Sequence, residues 1–127
     1  MATIKSFTSL EQSKVLAEIL PLESADMVYT ITNGYHTPFI RVETVQEMDK
    51  DDVCAWSLSA LLDVIKKYGL IDLRFLSSTF DGRGEHLMNV WCCTFDNIYT
   101  FSFDFYADNP VDACVAMIGK LNELNLL

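Results

Sequence analysis

The chain has 127 residues, half of them apolar, and carries 18 acidic against 9 basic side chains for a net charge of −9. That length supports one domain with its own core, and the apolar content excludes disorder. The acidic balance argues against binding a phosphate backbone or an anionic membrane, and no apolar run approaches the roughly 20 residues needed to span a bilayer.

Residues 8–20 read as a first helix. Thr8 and Glu11 have capping-box spacing, Leu16, Ile19 and Leu20 form the apolar stripe, and Pro21 stops the pattern. Residues 27–32 (MVYTIT) read as a strand ending at Asn33-Gly34, a pair that supplies the positive φ a tight hairpin needs. Residues 35–45 return as a second strand. Pro38 has no N–H to give a ladder, which confines that strand to an edge or delays its start to Phe39. Residues 43–52 carry five acids and one lysine and read as a solvated loop.

Ser57 opens the second helix, which runs to about Tyr68. Trp56 and Leu61 have the spacing of a hydrophobic staple, and Leu58, Leu61, Leu62 and Ile65 make the inward face. Lys66 and Lys67 complement the carboxyl end, and Gly69 is placed for a left-handed cap. Residues 71–80 then alternate as a strand, and 81–85 (DGRGE) form a connection.

Residues 88–95 and 98–106 are rich in aromatic and β-branched side chains and flank Asp96-Asn97, read as a two-residue hairpin loop. In that register Phe95 faces Ile98. Met88, Val90, Cys92 and Thr94 then join Tyr99, Phe101, Phe103 and Phe105 on a core face, and Trp91, Cys93 and Phe95 lie on a mixed second face. The last helix has its start written out in Asn109, Pro110 and Asp112, with Val111, Cys114, Val115, Ile118 and Leu121 covering the Phe row. The order α-β(β)-α-β-β-β-α over a single domain, 1–127, predicts an α+β fold. Its expected form is a two-layer sandwich with about three helices on an antiparallel sheet of three to five strands.

The four cysteines, Cys54, Cys92, Cys93 and Cys114, contain no CxxC pair. Adjacent strand residues point to opposite faces, so Cys92 and Cys93 cannot join each other. Buried free thiols in a reducing cytoplasm are the expected state. His36 and His86 lack zinc spacing, and the strand between His86 and Cys93 separates them by about 20 Å or more. MDKDD lacks the glycine and terminal glutamate of a calcium loop, and DGRGE has no following Lys-Ser/Thr of a phosphate loop. No catalytic residue, metal or cofactor is expected.

Two surfaces remain as candidates. Trp91, Phe95, Ile98 and Tyr106 set large side chains among polar neighbours; the first helix closes that face, or it is open to a protein partner or a second copy. Glu43, Glu47, Asp49, Asp51 and Asp52 form an acidic surface. If clustered with other acids, it would suit a mimic of nucleic acid that blocks a DNA-binding protein. The leading expectation is a cytoplasmic, non-enzymatic interaction or accessory protein. It would act through a protein partner or as a homodimer, without direct contact with nucleic acid or membrane. A small-ligand binder or enzyme requires a deep pocket with convergent polar groups.

The segments TSLEQSKVLAEILPLESADMVY, AWSLSALLDVI and DNPVDACVAMIGKLNELNLL resemble a family of short proteins from gut Bacteroides and related mobile elements or phages. The three blocks leave residues 30–52 without a counterpart. The resemblance implies cytoplasmic expression in an anaerobic bacterium or its phage, consistent with unpaired cysteines, and it carries over no site residues.

Overall fold

Helix α1 (Leu10–Ile19) is followed by β1 (Met27–Thr32), β2 (Tyr35–Ile40), β3 (Val53–Ala55), α2 (Leu58–Lys66), β4 (Leu70–Phe80), β5 (His86–Asn97), β6 (Phe101–Ala107) and α3 (Pro110–Glu123). The structure, a computed structural model, describes residues 5–42, 44–97 and 101–127. The fold is α+β with the expected element order, and its strands fall into two antiparallel sheets, β2-β1-β3 and β4-β5-β6. β3 is the strand without a sequence signal. Its three residues are too few to show alternation, and pairing with Met27–Tyr29 holds it in place.

The β1–β2 hairpin turns on Asn33 and Gly34, whose φ values are 52° and 83°. Pro38 sits in edge strand β2 opposite Tyr29, where its missing N–H costs no ladder bond. α1 is capped one residue later than Thr8: the Ser9 hydroxyl accepts from the Gln12 N–H, and the Gln12 side chain accepts from the Ser9 N–H. Thr8 is instead wholly buried, its Oγ1 accepting from the Trp56 N–H at 3.1 Å and bonding Ser13 Oγ at 2.8 Å. That pair of bonds ties the start of α1 to the entrance of α2. Trp56 is also wholly buried, and its Nε1 donates to Ser24 Oγ at 2.9 Å. A buried indole N–H without a partner would be costly, so this bond lets the ring serve as core.

α3 begins as its sequence implies, with the Asn109 side chain accepting from the Asp112 N–H at 2.8 Å and Pro110 in the first turn. It ends with Asn125 at φ 59° and with the Leu126 N–H donating to the Leu121 carbonyl, which satisfies a carbonyl the last turn would leave orphaned. Between the caps, Val111, Ala113, Cys114, Met117, Ile118 and Leu121 are fully buried. α3 lies over β5 and β6, and α2 lies beside β4. Gly69 is not a left-handed cap, because positive φ among the described glycines is confined to Gly34 and Gly84.

The second hairpin departs from expectation in its register. β5 continues to Asn97, which pairs with Phe101, so Phe95 meets Phe103 and Cys93 meets Phe105. Ile98, Tyr99 and Thr100 of the expected pairing lie outside the described residues. The shift is odd, and an odd shift exchanges the two faces of a strand. Cys93 and Phe95 therefore point into the core with Phe103 and Phe105 packed beside them, while Cys92 and Thr94 join Tyr106 and Asp104 on the opposite face. The physical reason is burial. The adopted register puts Phe95 entirely out of water, an effect of about 1.5–3 kcal/mol that the two-residue turn would have forfeited.

β4 and β5 run on well past β6, which reaches only to Trp91 on β5. The extension is not straight. Asn89 has φ 54°, and the ladder shows no pairing between Ser77 and Asn89. A straight ribbon would hold His86 about 20 Å from Cys92 and its neighbour Tyr106. Yet Asp81, Gly82 and Arg83 share a cleft with Asp104–Asp108. The ribbon thus bends at Asn89 and carries its tip back beside β6.

Candidate interaction surface

The thiols are packing groups. Cys93 on β5 and Cys114 on α3 are wholly buried against each other, and the Cys114 hydrogen bond together with burial raises the Cys93 pKa far above its ordinary value. Burial likewise raises Cys92, against a weaker opposing effect from its 3.6 Å contact with Thr94 Oγ1. Cys54 Sγ lies 3.7 Å from Met48 Sδ and accepts from Arg41 Nη1 at 3.7 Å. All four thiols are buried. His86 bonds Ser78 Oγ at 2.6 Å and stacks 5.0 Å from Phe80 on an exposed ribbon, and His36 is exposed on β2.

Trp91, Phe95 and Tyr106 do not form one face. Phe95 is core; Trp91 is half-buried, with its ring 5.6 Å from Phe75 in an edge-on contact. Tyr106 lies opposite Cys92 on the other side of the sheet, its phenol pushed up by burial and by nearby Cys92 and Asp104. Ile98 lies outside the described residues, as does Glu43 of the acidic set.

The remaining acids of that set are partly engaged at home. The Glu47 side chain accepts from the Thr44 N–H at 3.0 Å, and Asp52 accepts from Thr30 Oγ1 at 2.6 Å and from the Asp49 N–H at 3.1 Å. Asp49 and Asp51 are exposed on the same loop. Elsewhere Asp63 pairs with Lys66 on α2 and Asp72 with Arg74 on β4, both at 3.0 Å. Asp108 borders the cleft beneath the ribbon tip with Asp81 and Asp104. The acids are spread over separate elements.

Several clefts open on the described surface, and two of them exceed 500 Å³. One of about 600 Å³ runs between α1 and the loop before β3, with Leu22, Met48 and Cys54 on its floor and Lys14, Lys50 and Asp52 at its rim. The other, about 520 Å³, is the space under the ribbon tip, with Leu87, Val90 and Phe105 facing Asp104 and Arg83. Among the described residues no group of three His, Cys, Asp or Glu side chains could hold a metal ion, and no helix is long and apolar enough to cross a membrane.

The surface that sequence reasoning missed runs along β4. Leu70, Phe75 and Phe80 are 66%, 51% and 65% exposed, and Met88 across from Ser78 is 63% exposed. β4 pairs only with β5, so the outer edge of its eleven residues faces no strand among those described. The other edges differ. β2 has Pro38 at its middle, β3 is three residues long, and β6 is bordered by the folded-back tip. Proline, shortness and a covering loop keep those edges from pairing; β4 has none of these three, and its protection is confined to the Asp72 and Arg74 charges and the break opposite Asn89. The available signal was length: the alternation from Ile71 to Phe80 outlasts any span that β6 could match. The chain matches no family model, no curated protein and no solved structure, so the reading of this surface rests on its own residues and geometry.

Proposed function

We propose that this protein is a non-enzymatic interaction module that docks another polypeptide on the outer edge of the β4-β5-β6 sheet. The observation that carries this reading is the combination of an open eleven-residue strand edge with large apolar side chains exposed along it. An open edge offers N–H and C=O groups that an extended segment can pair with directly, and flanking apolar side chains add area and selectivity. Leu70 and Phe80 lie on one face of β4 and Phe75 on the other, so an incoming strand would be gripped from both sides. Four free, buried cysteines suit a reducing compartment such as the cytoplasm.

The test is site-specific photocrosslinking in the native host, with a photoreactive phenylalanine analogue at position 75 or 80. Val15, 59% exposed on α1, serves as a control away from the sheet. Positions 75 and 80 should each crosslink to one discrete peptide and position 15 should not. Equal, diffuse labelling from all three positions would overturn the proposal.

A further inference from the structure

We infer that the polypeptide docking on β4 is β4 of a second copy, in an antiparallel register centred on Leu73. This deepens the proposed function and rests on its reading of the β4 edge. Asp72 and Arg74 are two apart on one face of β4 and, in the single chain, make an exposed 3.0 Å ion pair along the strand. Antiparallel self-pairing about Leu73 sets Asp72 of each copy directly opposite Arg74 of the other, giving two reciprocal cross-strand pairs. Centring on Asp72 opposes two carboxylates, and centring on Arg74 opposes two guanidinium groups. Like charges directly opposite destabilise a sheet and opposite charges stabilise it, so the charges select one register.

The apolar residues agree with that register. On the face toward the helices, Leu73 meets its own copy and Ile71 meets the half-exposed Phe75, so three partly open contacts close together. The two-fold axis of such a pairing stands normal to the sheet and keeps the helices of both copies on one side. The paired segment, 70–76, ends before the bend at Ser77 and Asn89, where the strand is still regular. The product is a six-stranded antiparallel sheet with isologous contacts, the common symmetry of a two-subunit assembly.

Light scattering on the full chain at about 500 μM should give twice the 14.4 kDa chain mass. Asp72→Arg and Arg74→Asp should each weaken the dimer about tenfold or more, and the double reversal should restore it, because only the swap returns opposite charges to both pairs. If a single variant does not fold by circular dichroism, amide exchange on the wild-type chain replaces it. Residues 71–75 should then gain protection as concentration rises, and no gain overturns the inference. A monomeric wild type at this concentration overturns it too, as do single reversals that dimerise like the wild type. In each of these cases a crosslink from position 75 or 80 to a different chain would leave the proposed function standing.

Discussion

Gly69 and the Phe95 ring share one space. A β-carbon on Gly69 would stand 2.7 Å from Cε2 and Cζ of Phe95 and 2.8 Å from the Asp96 carbonyl oxygen. The ring is wholly buried and the carbonyl belongs to the strand, so neither can retreat freely. Gly69→Ala should destabilise the protein by about 1–3 kcal/mol, the usual effect of overpacking a core. Gly119 in α3 is the contrast, with nothing within 4 Å of an added β-carbon. Gly119→Ala should stabilise by up to about 1 kcal/mol through helix propensity alone. Urea unfolding of the two variants should show opposite signs, and a stable Gly69→Ala protein would contradict the packing described.

Asp112 gathers three donors, Lys5 Nζ at 2.9 Å and the side-chain amides of Gln12 and Asn109 at 2.8 Å each. Burial raises its pKa, but the bonds from Lys5, Gln12 and Asn109 together with the Lys5 charge outweigh that and leave it lowered from 3.8. A depressed carboxylate pKa contributes stability that is present above the unfolded value and lost as pH falls through the folded one. The side chain is 40% exposed, so screening holds the effect to about 1 kcal/mol or less. Asp112→Asn should therefore be less stable than wild type near pH 6. The difference should shrink as pH falls through the lowered Asp112 pKa, below 3.8, and its carboxyl becomes neutral like the amide. Denaturant curves at the two pH values read the change directly.

All four cysteines should be silent toward an aromatic disulfide reagent in the folded protein near pH 8. Each is buried, and the pKa values of Cys92 and Cys93 are raised. In urea, four thiols per chain should react. Labelling without denaturant should proceed no faster than opening of the core. Rapid labelling of any one cysteine would show a thiol that the fold leaves accessible.

Asn89 holds φ 54° in the middle of β5, a conformation asparagine tolerates and β-branched residues resist. Asn89→Gly should leave stability nearly unchanged, and Asn89→Val should lower it by about 1–2 kcal/mol. If the two substitutions prove equal in thermal unfolding, the bend is not set by this backbone.

The elements with local chemical signals were legible in the chain. Asn109, Pro110 and Asp112 mark a helix start by hydrogen-bond capacity alone, and Asn33-Gly34 marks a turn by φ alone. The pairing across 97–101 was not legible, because Asp96-Asn97 has turn chemistry whether or not the chain turns there. Only the burial of Phe95 against α3 and Gly69 decides where it turns, and that contact is non-local. The same shift dissolved the face assigned to Trp91, Phe95 and Tyr106. The β4 edge was hidden differently: alternation shows that Ile71 to Phe80 is a strand, but which side lacks a neighbour depends on the whole sheet.

The clamp of Lys5 and Gln12 on Asp112 also sets an order of events in synthesis. Its bonds join residues 107 and 100 positions apart, and Thr8 at the head of α1 reaches 48 residues forward to Trp56. α3 leaves the ribosome after the other described elements, and it supplies Asp112 as well as the row that covers Phe95 and Cys93. Until then the Lys5 and Gln12 side chains lack their carboxylate partner and the aromatic side of β5 stays wet. Contacts of such long range close slowly, and exposed strands waiting for their cover are prone to pair with one another. The nascent chain therefore passes through a stage in which β4 and β5 are made but α3 is not. In that interval a helper that binds extended apolar strands would act on this protein most strongly.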